Sequence, residues 1–354
     1  MEASQALAHA RVPATSYPGR GRVVVRRRAL VGLALSAPVS ALFLYLASRN
    51  LDVHGVAQTL GRADGLKLAL AVAAMGLVYV VQAERWRWIA RRDAPLEARR
   101  FLEYVVAGVA CNNVVPGRAG DFLRAHWLAG AASIPHARAL ATVVVDRSAD
   151  LLALLAILAV GLPVAEHPSW LARIDLVAAA LGAGLILLLL GARLHARRAA
   201  RPHPDGRSRG RVLRFVSGVL EGIAQTVNRR DAFVVGALSL LAWAVWGAGA
   251  WLVASSLGIH LSPIEIAFVT AIVNLGVAIP SSPGFVGTYQ WLCVAGLGLL
   301  AVGRADAFAF SLILQAVWFV PTCLAGLAIG VQKGVQRVQA RDEATEPEPA
   351  RARA

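Results

Sequence analysis

Two groups of ionisable residues interrupt segments that are otherwise apolar. They are Arg118, Asp121 and Arg124, and Asp146, Arg147 and Asp150. A charged side chain inside hydrocarbon is strongly disfavoured unless it pairs or faces water, so such residues commonly mark substrate or ion pathways. A guanidinium near an exposed helix N-terminus also favours anions, because the backbone N–H groups point at the ligand. The pattern therefore predicts a polar intramembrane site suited to a phosphate.

Each group also has an interpretation that needs no ligand. For the first group, the ligand-binding interpretation is that Arg118 and Arg124 hold a lipid phosphate. The interpretation without a ligand is that Arg118 pairs with Asp121 while Arg124 extends to the membrane interface. In the second group, Asp146 and Asp150 are four residues apart and share a helix face. They either line a polar region together with the first group, or lie near headgroups at the cytoplasmic end of a tilted helix.

The apolar segments predict a membrane protein. The chain has 354 residues, 57% of them hydrophobic, and its mean hydropathy is +0.58. Long stretches with few charges cover residues 29–47, 66–83, 176–192, 232–257 and 307–331. Each is long enough, at about 1.5 Å per helical residue, to cross a hydrocarbon core of roughly 30 Å. We expect an all-α polytopic fold with about six full transmembrane helices and two broken, re-entrant helical hairpins.

The basic residues predict orientation. The formal net charge is +15, but the arginines concentrate at the chain ends and in two loops, as topology signals do. They place the N-terminal segment 1–28, the linker 193–230 and the C-terminus in the cytoplasm. The absence of an aromatic-plus-basic module argues against nucleic acid as a partner. We expect a multi-pass protein of the bacterial inner membrane.

The same orientation predicts the first hairpin. Residues 101 and 135 both fall on the cytoplasmic side, so the segment between them must enter the membrane and return. Its apolar parts, residues 101–115 and 119–131, are too short to span comfortably. We expect the tip of this hairpin at NNVVPGRAGD, residues 112–121, because non-helical backbone at that depth must be surrounded by protein or water.

The segment PSSPGFVG, residues 280–287, allows two interpretations. It either joins full spans, giving three between residues 261 and 331, or forms the tip of a second hairpin that enters from outside. A shared P-x-x-x-G spacing favours the second, as an inverted repeat meeting near the midplane. The expected helix breaks are Pro116, Gly117, Gly120, Pro280, Pro283, Gly284 and Gly287.

Polar residues around both breaks are further candidates for a binding crevice. They are Asn112, Asn113, Asn274, Ser281, Ser282, Thr288, Tyr289 and Gln290. The alternative for the serines is that they only satisfy backbone groups freed by the prolines.

Other segments carry weaker signals. Residues 212–227 predict an amphipathic helix on the cytoplasmic surface, and the tail 336–354 is predicted to be disordered. Trp86 and Trp88 lie where an interfacial aromatic belt is expected. Neither a metal nor a cofactor is expected, because the chain has no Cys/His metal spacing and no phosphate-binding loop.

Three motifs resemble the transmembrane, flippase-like domain of lysylphosphatidylglycerol synthases. They are NNVVPGRAGDFLRAHWL (112–128), VVVDRSADLLALL (143–155) and AIPSSPGFVGTYQW (278–291), supported by ERWRW at residues 84–88. The resemblance implies that residues 29–335 form one lipid-handling domain, without the aminoacyl transferase of some relatives. In many relatives a Glu stands at the positions of Asp146 and Gln290. The first difference keeps the charge and the second removes it.

The resemblance implies a lipid flippase or translocase that handles a phosphate-bearing headgroup. The expected partners are membrane lipids, either an anionic phospholipid or a lipid-linked sugar, and a separate lipid-modifying enzyme. Two alternatives remain. One is a membrane-embedded transferase in which Asp146 or Asp150 is a general base or metal ligand, and the other is a non-catalytic partner of a lipid-modifying enzyme.

Overall fold

The computed structural model describes residues 41–115, 118–164, 229–277 and 283–345, with a few single positions between 38 and 223. All regular secondary structure in these ranges is helical, which confirms the all-α fold class. Several predicted features lie wholly or mostly outside the described residues: segment 1–28, the spans at 29–47 and 176–192, and the amphipathic helix at 212–227. Five candidate residues also lie outside them: Pro116, Gly117, Pro280, Ser281 and Ser282.

Long apolar helices form the frame of the described part. After a short helix α1, the long helices are α2, α5, α6 and α9. Their bounds are Val53–Gly61 (α1), Gly65–Ala90 (α2), His136–Gly161 (α5), Arg229–Ser256 (α6) and Arg304–Thr345 (α9). Segments of α2, α6 and α9 are apolar and long enough to cross a membrane. Helix α5 has 26 residues, about 39 Å, so its length also suffices, although it contains four Asp and Arg residues.

The first break forms the tip of a helical hairpin. Its arms are α3 (Ala98–Val114) and α4 (Ala119–Ala132), with 17 and 14 residues. These lengths are about 26 and 21 Å, short of a 30 Å core. The arms are antiparallel and nearly touch where Gly120 meets the carbonyl group of Gly108. The two short helices of the predicted hairpin and their antiparallel packing are therefore confirmed.

The second break forms a similar hairpin, and the alternative of three full spans is not supported. Its arms are α7 (Pro263–Gly276) and α8 (Thr288–Gly298), about 21 and 16 Å long. Gly276 packs against Leu292, and Gly296 packs against Val269, so these arms are also antiparallel. A turn at Pro283–Phe285 leads into α8, with Gly284 at φ +73° and Gly287 at φ +86°. Only glycine adopts such angles at little steric cost.

Helix α9 supports both hairpins, which approach it from opposite ends. Beside the first hairpin, Glu103 pairs with Lys333 at 3.0 Å, and the Asn113 amide lies 3.8 Å from Cys323 Sγ. Beside the second hairpin, Gln315 donates to the Gly284 carbonyl at 2.6 Å. The first tip therefore lies near position 323 of α9 and the second near position 315, about 12 Å apart along the helix axis. The hairpins form the opposed pair expected of an inverted repeat.

Three expectations differ from the structure. Helix α2 continues through Ala90, seven residues beyond the end of the predicted span at 66–83, so the arginine-rich residues 84–90 are helical and were not expected to be. Trp86 is fully buried and donates to Thr142, so it does not belong to an interfacial belt. Helix α9 extends to Thr345, so residues 336–345 of the predicted disordered tail are helical.

The contact between Gly108 and Gly120 predicts a stability difference between two glycine substitutions. A Cβ added at Gly120 would overlap the Gly108 carbonyl, whereas one added at Gly130 on the same helix meets nothing within 4 Å. We expect Gly120→Ala to destabilise the purified protein by about 1–3 kcal/mol through overpacking. Gly130→Ala should be neutral or slightly stabilising. Thermal unfolding in detergent compares the two, and equal melting temperatures would refute the close helix contact.

Candidate functional site

Asp146 lies at the centre of a buried charge cluster. Its Oδ1 accepts from Arg85 Nε at 2.8 Å, and its Oδ2 accepts from Arg124 Nη2 at 2.8 Å. Arg85 Nη1 also donates to Asp150 Oδ1 at 2.6 Å and to Ser239 Oγ at 3.0 Å. One carboxylate thus joins α2 to α4, and Arg85 extends the connection to α6.

The remaining ion pairs close the cluster into a ring. Arg124 lies 3.4 Å from Asp121, Asp121 accepts from Arg147 at 2.8 Å, and Arg147 lies 3.4 Å from Asp150. Positive and negative side chains alternate around this ion ring, whose members are Arg85, Asp146, Arg124, Asp121, Arg147 and Asp150. With three arginines and three aspartates, the ring has no net charge.

The buried part of the ring is held in place by close packing. The side chains of Arg85, Arg124 and Asp146 are at most 2% exposed. Arg124 lies over the ring of Trp86, with its guanidinium carbon 4.9 Å from the ring centroid, an arrangement that stabilises a cation. Because Arg124 has both these contacts and two carboxylates, it is not free to bind a ligand. It links the first hairpin to α2 and α5.

The accessible charges lie on one side of the ring. The Arg147 side chain is 31% exposed although it pairs with Asp121 and Asp150. Arg118 is exposed and has the left-handed backbone conformation at the N-cap of α4, with φ 54°. Within the described part of the chain its side chain makes no hydrogen bond or ion pair, so the alternative in which Arg118 pairs with Asp121 is not observed; only the Arg118 carbonyl accepts from the Asp121 N–H, at 3.2 Å. Arg118 therefore adds one uncompensated positive charge beside a neutral ring.

Two asparagines stabilise the tip of the first hairpin. Asn112 Oδ1 accepts from the Gly120 N–H at 2.8 Å, which satisfies one of the backbone donors at the start of α4. Asn113 is buried and contacts Cys323 on α9. Both side chains therefore stabilise the hairpin tip, Asn112 through its oxygen and Asn113 through its amide nitrogen.

A chain of amide contacts stabilises the second tip. Gln290 Oε1 accepts from the Gly287 N–H at 2.6 Å, and its Nε2 donates to Gln315 Oε1. Gln315 Nε2 then donates to the Gly284 carbonyl at 2.6 Å. Gln290 thus uses its acceptor on its own hairpin and its donor on α9, where a carboxylate would lack the donor.

The other candidates at the second hairpin are oriented inward. Tyr289 is buried against Trp318, with ring centroids 5.9 Å apart. Asn274 donates to the Thr270 carbonyl of its own helix at 2.8 Å. The Thr288 hydroxyl is buried and has no hydrogen-bond partner in the part of the chain that the structure describes. Among the described residues, no hydrogen bond or ion pair connects these groups to the ion ring.

The structure thus joins the two charged groups of the first half and adds residues that the sequence did not suggest. Asp121 and Arg124 of the hairpin pair with Arg147 and Asp146 of α5, as expected of a shared polar region. The unexpected members are Arg85 and Ser239, which are 61 and 93 residues from Asp146 in the chain. The signal for Arg85 in the sequence is its position in the ERWRW segment, whose tryptophans predict an interfacial aromatic belt instead.

Comparison with known proteins agrees with this architecture. The family described as the lysylphosphatidylglycerol synthase TM region matches residues 29–326. A glycosyltransferase, AglD, of Haloferax volcanii is 28% identical over 364 aligned residues, which cover 92% of this chain and 58% of that protein. The chain therefore spans little more than half the length of this relative.

The ion ring predicts that two neighbouring arginines of α2 differ in importance. Arg85→Leu leaves buried carboxylates short of a cation, which typically costs about 3–5 kcal/mol. Among the described residues, Arg87 pairs with the partly exposed Glu84 alone, so Arg87→Leu should cost at most about 1 kcal/mol. Thermal unfolding of both variants in the same detergent measures the difference. Similar losses for both would contradict the closed ring.

Proposed function

Because the chain belongs to the family of lysylphosphatidylglycerol synthase transmembrane regions, we propose that it moves a phosphate-bearing lipid headgroup between the two leaflets. The observation that carries this proposal is the exposed Arg118, whose side chain has no ion-pair partner among the described residues, at the tip of a hairpin that ends midway along α9. A cation at that depth is disfavoured unless it meets water or an anion. A lipid phosphate is the anion that a bilayer supplies.

The arginines of the cluster differ in burial and pairing, and we propose different roles for them. The ion ring is neutral and holds Arg124 and Arg85 among buried carboxylates. Arg118 and the partly exposed Arg147 are the groups that bind the phosphate, each donating charge-assisted hydrogen bonds. Asp121 and Asp150 hold Arg147 in place. The ring keeps these positions fixed without itself attracting a second anion.

The opposed hairpins supply the path. Each ends midway along α9, so the protein between the two tips is thin compared with a full span. In transporters, broken helices at the midplane commonly surround the substrate while the two halves rock against each other. We propose that the headgroup crosses at the tips while its acyl chains stay in the bilayer. The sequence contains no nucleotide-binding motif, so we propose movement that is either coupled to a gradient or passive and not driven directly by ATP.

The orientation follows the basic residues, with both termini cytoplasmic and the first hairpin entering from the cytoplasmic side. A bacterial inner membrane is the proposed location. The partners are anionic phospholipids and a lipid-modifying enzyme that supplies or uses the transported lipid.

A lipid-linked sugar is the alternative substrate. It is favoured by the relative from Haloferax volcanii, which is named a glycosyltransferase. In that case this chain either presents the lipid-linked sugar to a separate transferase or takes part in the transfer itself. A sugar attached through phosphate would use the same arginines.

Reconstitution tests the transport proposal. Proteoliposomes containing phosphatidylglycerol with a fluorescent headgroup analogue are treated with dithionite, which bleaches only the outer leaflet. We expect the wild type to carry the fluorescent lipid of the inner leaflet to the outer leaflet, where dithionite bleaches it. Arg118→Gln should slow this exchange between leaflets about tenfold, because a hydrogen bond to a charged group contributes about 1.5–3 kcal/mol. Arg62→Gln, an exposed arginine outside the site, is the matched control.

The melting temperature separates a binding effect from a folding effect. Arg118 makes no ion pair within the described residues, so Arg118→Gln should melt with the wild type. Exchange by the wild type no faster than by empty vesicles would refute transport of this lipid. Equal exchange by the wild type and Arg118→Gln would refute the role of Arg118. The same assay with a lipid-linked sugar tests the alternative substrate.

A further inference from the structure

A lateral groove lies outside the ion ring, between α2, α3 and α9. Its volume is about 480 Å³, within the usual range for ligand sites. The wall is largely apolar, with Met75, Val80, Leu102, Val106, Ala325 and Ile329 among its residues. Trp318 and the hydrogen-bonded pair of Tyr79 and Thr322 lie at its deep end.

The groove opens onto a surface that faces hydrocarbon. Val72 and Val80 of α2 and Val320 and Leu324 of α9 are exposed around it. Both helices have segments that are long and apolar enough to cross a membrane, and exposed apolar side chains on such helices meet lipid. Acyl chains are therefore the molecules that surround the opening.

The dimensions of the groove match one leaflet. It follows α9 from Val317 to Gln332, a distance of about 22 Å along the helix. One leaflet contributes about 15 Å of hydrocarbon, half of the core. The groove is long enough for an acyl chain of one leaflet, with its headgroup at the Gln332 end.

The charges at that end favour an anionic headgroup. Glu103 is held by Lys333 at 3.0 Å, and Lys333 also lies over the rings of Tyr104 and Trp127, 5.1 and 5.3 Å from their centroids. Arg99 also lines the groove, and its side chain is 82% exposed, with one 3.3 Å contact to the same Glu103. Two cations share one carboxylate, so these three described side chains leave one positive charge in excess at the mouth.

We propose that this groove is a binding site for one anionic phospholipid from the leaflet on the Lys333 side. One acyl chain lies along α9 toward Trp318, and the phosphate binds Arg99. The site is separate from the hairpin tips and from Arg118. It holds a resident lipid against α3, the outer arm of the first hairpin, and its occupancy does not depend on whether the protein transports lipid.

Photolabelling of the full chain in vesicles tests the site. The probe is phosphatidylglycerol with a diazirine on one acyl chain, and labelled peptides are mapped by mass spectrometry. Gly76 lines the groove, and a Cβ added there meets nothing within 4 Å, so Gly76→Phe fills the groove without displacing its walls. Gly330→Phe on α9 also enters open space but is not part of the lining, and it is the matched control.

We expect labels in residues 317–332 of the wild type, a severalfold loss in Gly76→Phe and no loss in Gly330→Phe. Unchanged labelling of 317–332 in Gly76→Phe would overturn the proposal. No labelling of residues 317–332 in the wild type, together with a dimer on size-exclusion chromatography that is lost in Gly76→Phe, would assign the groove to self-association instead.

A second comparison tests the headgroup contact. Competition between unlabelled phosphatidylglycerol and phosphatidylcholine measures the preference for the anionic lipid. Arg99→Gln should reduce this preference about fivefold, since one basic residue near the surface contributes about 1 kcal/mol toward an anionic lipid. Arg100→Gln, an exposed neighbour that is not part of the lining, should keep it. A wild-type groove without preference for either lipid would overturn the role of Arg99.

Discussion

A helix that ends inside a membrane leaves backbone groups at its terminus without partners, and hydrocarbon supplies none. This constraint explains how the two broken hairpins are built. At the first tip, Asn112 accepts from the Gly120 N–H. At the second tip, Gln290 accepts from the Gly287 N–H, and Gln315 donates to the Gly284 carbonyl. Helix α9 supplies Gln315 and packs against both hairpins, so the rest of the architecture depends on these contacts at its middle.

The ion ring satisfies buried charged side chains, as the tip contacts satisfy buried backbone groups. Three arginines and three aspartates drawn from α2, α4 and α5 would each be costly in an apolar interior, but in alternation each cation meets two carboxylates. The ring thereby fixes the first hairpin to two long helices and carries no net charge. Its neutrality is what makes Arg118 distinctive, because that guanidinium lies next to the ring and outside its pairing. Arg124, which stabilises the ring, and Arg118, which we propose binds the phosphate, thus lie close together in the sequence but have different roles.

Much of this fold is predictable, because helix length and charge asymmetry are local properties. The short arms α3 and α4 follow from two cytoplasmic anchors and too few residues to span the membrane. The alternative of three full spans between residues 261 and 331 stayed open because the lengths of α7 and α8 depend on where the backbone breaks around Gly284. Arg85 and Gln315 were missed for another reason. Their partners are 61 and 25 residues away, and such pairings depend on how helices pack, which periodicity and spacing do not encode.

The central claim is that the two hairpins enter from opposite sides and meet on α9. Side-specific labelling tests it most directly, in a background where Cys111, Cys293 and Cys323 are replaced by alanine. Ser133→Cys lies at the base of the first hairpin and His260→Cys just before the second, both at exposed positions. A membrane-impermeant maleimide should label position 260 only from outside and position 133 only from the cytoplasmic side. Labelling of both positions from the same side would contradict the opposed arrangement.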